Sequence, residues 1–348
     1  MNHLATALGR PGRTALLLGL AWLAVYLLWP AGALAGDVQA QPLQAGGDHW
    51  FVAPKVKRFM RSHTSYEFGE PDTHATNPLS RLEFPLNSWW GGVDLGLQGP
   101  RYRLELGLLA ALPGQDDIGA MRDSDWEDAK RPQVTTTYSA TRTKLKNSFN
   151  LDGKLSVSLR QELSMPAWLD LRPLLGVRWQ KFVFIVGDGT QRELDLDPTS
   201  PTYNQWINPD YLPSESIWFR QEYLHAYLGL QLTADLARFG LGKPGGGWQA
   251  SLQGDIAHVW GENRDHHLLR EGDRVTTDRT EGYAWHAGLD LRAPVFSWGA
   301  LVMSADYMYI ETRGDQTWME FGTIMTADYG VRVWSQQMGL SLSLEVPF

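Results

Sequence analysis

The sequence contains no cysteine. A disulfide framework, thiol catalysis and cysteine-ligated metals are therefore excluded, and stability must come from the fold itself. It also lacks a run of 18 or more apolar residues, so it holds no membrane-spanning helix. Clustered cations are missing too. With 31 Lys+Arg against 39 Asp+Glu the net charge is −8, which argues against a nucleic-acid partner, because phosphate binding needs concentrated positive charge. Finally, no segment of useful length repeats apolar residues at helical spacing.

The N-terminus carries one short apolar stretch, Thr14 to Leu28, behind Arg10 and Arg13 and ahead of Pro30 and the small-x-small Ala33-Leu34-Ala35. Charge, apolar run and small residues in that order form a secretory signal. At 15 residues the run falls short of the roughly 20 that a spanning helix needs. Residues 1–35 are expected to be cleaved, leaving 36–348 as a single domain. Without Arg10 and Arg13, 29 Lys+Arg face 39 Asp+Glu, a net charge of −10.

Aromatic residues are plentiful: 16 Trp, 12 Tyr and 12 Phe. Trp and Tyr settle at membrane interfaces, and outer-membrane barrels wear them as girdles. The period along the chain is two. Tyr102, Leu104, Leu106 and Leu108 alternate with Arg103, Glu105 and Gly107, and Met338, Leu340, Leu342 and Leu344 alternate with Gly339, Ser341 and Ser343. Apolar-out, polar-in alternation is the signature of a barrel wall. Ten such segments are read, at about 52–69, 79–98, 101–112, 147–163, 167–187, 215–236, 247–262, 273–293, 298–312 and 330–348. The last ends in Phe348. These predict an all-β, ten-stranded antiparallel up-and-down transmembrane barrel, an even count that closes without an exposed edge.

Connections alternate in length. Gln98-Gly99-Pro100, Ser164-Met165-Pro166, the stretch from Ala293 to Ser297 and the glycine-rich Gly240 to Gly247 are short or medium. The other five, at about 70–78, 113–146, 188–214, 263–272 and 313–329, are longer and polar. Bacterial barrels keep short turns in the periplasm and long loops outside, so a site built from the long loops is expected to be extracellular. Ten strands leave an interior filled by side chains rather than a wide pore.

Two motifs in these loops can carry chemistry. In Met121-Arg122-Asp123-Ser124-Asp125-Trp126-Glu127-Asp128, Asp123 and Asp125 stand two apart, so both carboxylates share a face of an extended chain. Such a pair resists joint ionisation and can share a proton or hold a water. A solvated acidic loop or a calcium site has the same composition. In Asn263-Arg264-Asp265-His266-His267, Asp265 and His267 stand two apart as well, the arrangement a histidine general base uses. A surface histidine pair is the plainer reading. Both motifs fall on the same rim, across the barrel from each other, where one water could sit between them.

At these residues the sequence resembles the omptin family of outer-membrane proteases, ten-stranded barrels with an Asp-x-Asp pair facing an Asp-x-His pair across an extracellular groove. Phe219-Arg220-Gln221-Glu222-Tyr223 leading into Tyr227-Leu228-Gly229-Leu230, the segment Gly176 to Gly189 and the strand ending in Phe348 resemble the family as well. The resemblance implies an endopeptidase of the aspartic kind in the bacterial outer membrane, acting on peptides or proteins. His267 would be the general base oriented by Asp265, and Asp123 and Asp125 would bind and polarise the water. Glu67 would stand for one acidic group of the first specificity pocket. Asn263 replaces the other, a departure that weakens dibasic specificity. The family requires lipopolysaccharide, bound through basic residues of the outer wall, and Glu222 departs from that pattern. No metal or other cofactor is implied, and a monomer is expected. The alternative is a non-catalytic barrel serving as adhesin or receptor.

Overall fold

The computed structural model describes residues 47–69, 78–207, 210–241, 247–296 and 298–348, within one compact unit, Ala45–Phe348. The segment read as a signal peptide lies outside the described residues. Within them the chain is nearly all β: β1 His49–Phe59, β2 His63–Phe68, β3 Ser80–Pro85, β4 Trp89–Gln98, β5 Tyr102–Ala111, β6 Ala120–Asp125, β7 Thr137–Leu145, β8 Phe149–Val157, β9 Leu169–Glu193, β10 Asp210–Leu212, β11 Ile217–Asp235, β12 Gln249–His267, β13 Arg274–Phe296, β14 Gly299–Glu320 and β15 Thr323–Pro347. A single 3-10 turn, Leu236–Phe239, interrupts them.

All pairings are antiparallel, and they close two rings of ten stacked on one another. In the turn-end half the order is β1-β4-β5-β8-β9-β11-β12-β13-β14-β15 and back to β1. In the loop-end half β2, β3, β6 and β7 replace β1, β4, β5 and β8. The protein is thus a ten-stranded barrel in which four staves are each broken into two strands. The breaks are stitched by short polar side chains. The Ser62 amide donates to Asn87 Oδ1 (3.1 Å), and the Val183 amide donates to Ser148 Oγ (2.9 Å). Arg61 and Asn147 take left-handed φ values of 50° and 42° there, the strain a chain accepts where a strand changes direction.

Several staves run longer than the sequence reading gave them. Residues 113–146, read as one loop, contain β6 and β7. Residues 313–329, read as another, are mostly β14 and β15 joined at Phe321-Gly322, both at positive φ (49° and 71°), as a tight hairpin turn requires. A 25-residue strand such as β9 is on the order of 80 Å long. Tilted as barrel strands are, it stands far taller than a bilayer's apolar layer of ~25–30 Å.

The apolar residues show where that layer ends. In β9, Leu175, Val177 and Trp179 are exposed on the outer wall, whereas Phe182, Phe184 and Val186 are buried in the lumen. Apolar side chains switch from odd to even positions while the strand keeps its face. β11 repeats the switch, with Leu224, Leu228 and Leu230 outside and Phe219 and Tyr223 inside. The turn-end half therefore has a greasy exterior, including Leu95, Leu104, Leu106, Leu252, Ile256, Leu289 and Leu340, the belt of a bilayer-spanning barrel. Its lumen is polar and holds a cavity of about 220 Å³ lined by paired charges such as Lys57–Asp306 and Lys154–Glu105.

Above it the lumen is plugged. Phe84 stacks on Phe219 (centroids 4.3 Å apart) and lies 5.1 Å from Phe184, while Tyr66 stacks on Phe219 at 5.3 Å. Trp90, Phe59, Phe182, Ile310 and Val333 complete a core that is almost entirely closed to solvent. This core is the floor on which the candidate site rests.

Candidate active site

Strand parity decides which of the expected residues meet. Asp125 pairs with Ser80 and Asp123 with Leu82, whose side chain is in the core, so both aspartates point inward from β6. On β12, Asn263, Asp265 and His267 share the inward face with buried Val259, and His266 and Arg264 point out. Neither motif is a loop. Both ride the ends of staves, which fixes them more rigidly than loops would. β6 and β12 are four staves apart on the ring of ten, so the pairs occupy facing walls.

Their electrostatics bring them into one space. Burial pushes the Asp123 carboxyl well above the usual carboxylate range, and the charges of Asp125 and then Asp265 push it the same way. Burial also raises Asp125, to about 6, with Glu127 adding to it and the Ser80 hydroxyl, Arg270 and His267 opposing it. Asp123 thus feels Asp265, and Asp125 feels His267, across the lumen. Ser80 Oγ donates to Asp123 Oδ1 at 3.4 Å.

Asp265 is held differently. It is buried to 1 % exposure. Burial works against its charge, yet attraction to His267 and hydrogen bonds from His267 and Tyr66 keep its carboxyl below the usual range. His267 Nε2 lies 3.0 Å from Asp265 Oδ2, and the Tyr66 hydroxyl donates to the same oxygen at 2.6 Å. With Nε2–H given to the carboxylate, Nδ1 is the nitrogen left to take a proton. Arg274, paired with His267 across the strands, lies over the Trp318 ring at 3.6 Å.

Glu67 is a correction. Its neighbours Tyr66 and Phe68 face the lumen, so Glu67 faces the outside, where it pairs with Arg81 (2.9 Å) and Arg332 (3.5 Å). A residue on that face cannot line an internal pocket. Asn263 does face inward, buried, and its Nδ2 donates to Asp278 Oδ2 at 3.1 Å. Asp278 Oδ1 accepts from Gln316 Nε2 at 2.9 Å. Burial raises the Asp278 carboxyl to about 7 despite these two donors. Tyr66, Asp278, Gln316 and Ser80 escaped the sequence reading because none stands in a motif. Parity alone would have ranked Tyr66 above Glu67. Among the described residues no group of three or more His, Asp or Glu is arranged to hold a metal ion.

No family model matches the sequence, and no curated protein matches it. Among solved structures, the outer membrane protease OmpT from Escherichia coli is similar with a TM-score of 0.66 and 14% identity, over 86% of this chain and 97% of that one. The outer membrane protein OprG from Pseudomonas aeruginosa also matches (TM-score 0.33, 10% identity, 87% and 96% covered), as does the translocator domain of the autotransporter NalP from Neisseria meningitidis (0.28, 9%, 95% and 97%). These last two superpose too loosely to bear on the site. At such identities the likeness is one of fold: the chain has the architecture of an outer-membrane β-barrel.

Proposed function

We propose that this protein is an endopeptidase of the bacterial outer membrane that hydrolyses peptide bonds at the cell surface with a water activated by Asp and His. The observation that carries the reading is the pair of dyads on facing walls of one lumen, each within the other's electrostatic reach, above a dry floor. The groove opens at the long-loop rim, which in barrels of this kind faces outward. The apolar belt fits residence in the membrane.

In this mechanism His267 Nδ1 takes the proton of a water as its oxygen attacks the scissile carbonyl carbon. Asp265 steadies the imidazolium that results. The tetrahedral intermediate then collapses, and the imidazolium returns the proton to the leaving amine. The elevated carboxyls of Asp123 and Asp125 give that pair a specific role. Two ionised carboxylates would repel an oxyanion, but a pair sharing one proton can accept from the water with one oxygen and donate to the carbonyl oxygen with another. No acyl-enzyme forms.

A preference for basic residues would rest on Asp278, which supplies from β13 the carboxyl that Asn263 lacks on β12. Lipopolysaccharide belongs in the assay as a candidate activator. At the height where the outer wall would meet its phosphates, Lys181 and Arg220 are engaged by Glu222 and Glu262, so a weaker dependence is expected. The test is cleavage of a mixed peptide library by purified barrel with lipopolysaccharide. His267→Ala should lower kcat/KM by roughly three or more orders of magnitude. Equal cleavage by the variant refutes the reading. Binding of matrix proteins that survives replacement of all four dyad residues, with no cleavage by either form, would instead make the protein an adhesin or receptor.

A further inference from the structure

Tyr66 belongs to neither dyad, yet it touches the one that holds the base. It sits on β2, level with Leu82 on β3 and Asp123 on β6 in the ladder, and points into the lumen. Its ring is clamped between aromatic neighbours, stacked on Phe219 at 5.3 Å and 15° and on Phe68 at 6.4 Å and 24°. From there the hydroxyl crosses to Asp265 on β12, 199 residues away in sequence and four staves around the ring. The contact joins the side of the barrel that carries Asp123 to the wall that carries His267.

The chemistry of the contact is more specific than a strut. The Tyr66 hydroxyl donates to Asp265 Oδ2, His267 Nε2 lies 3.0 Å from the same oxygen, and Oδ1 has no hydrogen-bond partner among the described residues. A carboxylate buried this deeply depends on the few donors it has. Two donors on one oxygen also compete for its charge, so the phenol weakens the carboxylate's pull on the imidazolium while fixing its plane. On the hydrolase reading above, we propose that Tyr66 is a positioning residue. Its hydroxyl holds the Asp265 carboxylate in register beneath His267 and takes up part of the charge on the oxygen that His267 faces.

A tyrosine serving only the core would act through its ring, which phenylalanine keeps. The other groups facing the dyad are Asp123 and Asp125 from β6, Arg270 from the β12–β13 turn, and Arg274 and Asp278 from β13. Tyr66→Phe leaves all of them in place. Removing the phenol should strengthen the Asp265–His267 interaction and leave the carboxylate freer to rotate. The acidic limb of kcat/KM should therefore move to higher pH by about half a unit, a fraction of the worth of one hydrogen bond to a charged group. kcat should fall roughly tenfold, as losing an orienting partner does, with KM held within about twofold.

The measurement is the pH profile of a quenched fluorogenic peptide, chosen from those the wild-type barrel cuts, for wild type and Tyr66→Phe. Folding of each is checked by resistance to SDS without heating. A ring-fluorinated tyrosine at position 66 keeps the shape, donates more strongly and should move the limb the other way. It carries the test if Tyr66→Phe does not fold. Profiles with an unmoved limb in the folded variants overturn the proposal while leaving the hydrolase reading intact. Wild-type barrel that cuts nothing, or His267→Ala that cuts as fast, refutes that reading and this inference with it.

Discussion

Asp278 is the buried acid whose cost can be measured without any substrate. Its carboxyl sits at about 7 in the folded barrel against a usual 3.8, chiefly because burial disfavours the charge. A group raised on folding holds more protons in the folded chain than in the unfolded one, so its contribution to stability is lost as pH rises between those two values. At about 1.4 kcal/mol per pH unit, holding Asp278 buried costs about 4 kcal/mol at pH 8, where it is ionised, and only about 2 kcal/mol at pH 5, where it keeps its proton. Asp278→Asn removes the charge, and the Asn263 amide can reverse so that its oxygen, without a partner among the described residues, accepts from the new side chain. The advantage of the variant over wild type should grow by roughly 2–3 kcal/mol from pH 5 to pH 8. The assay is guanidinium unfolding in detergent at both pH values, followed by tryptophan fluorescence and extrapolated linearly. Asp123 and Asp125 tilt the wild-type curve in the same direction, so the informative quantity is the difference between the two proteins. If wild type and variant lose stability in parallel from pH 5 to pH 8, Asp278 is not the buried, proton-holding group described.

Glu67→Gln should leave kcat and KM for any cleaved peptide unchanged, because Glu67 faces the outer wall. Its ion pairs with half-exposed arginines contribute only about 0–1 kcal/mol, and a large loss of activity would mean the β2 parity is misassigned. In a planar bilayer the barrel should pass no steady current, because Phe84, Phe184, Phe219 and Trp90 fill the lumen above the polar cavity. Stepwise single-channel conductance would contradict that core. His267→Ala and Tyr66→Phe, described above, test the chemistry.

Much of this was legible in the sequence, and the misses have a common cause. Alternation in segments such as Tyr102 to Leu108 is strong because lipid faces one side and polar lumen the other, so the ten staves could be counted. Above the membrane that contrast inverts. Phe182 and Phe184 turn inward, and outward positions such as Glu67 and Arg81 become polar. Period-two reading then loses its sense of which face is which, and β6, β7 and the upper ends of β12 and β14 pass for loops. That Asp123 shares a face with Asp125, and Asp265 with His267, was immune to that error, because residues two apart share a face whether the strand is recognised or not. Asp278 and Gln316 could not be found, since their role comes from the lateral register of β12, β13 and β14, which a single sequence does not display.

The aromatic floor beneath the groove has a consequence for traffic. A peptide that enters at the rim meets Tyr66, Phe84 and Phe219 before it meets the polar cavity, and it has no passage onward. Whatever binds there leaves on the side from which it came. The barrel is a vessel with one mouth, and it delivers nothing through its own wall.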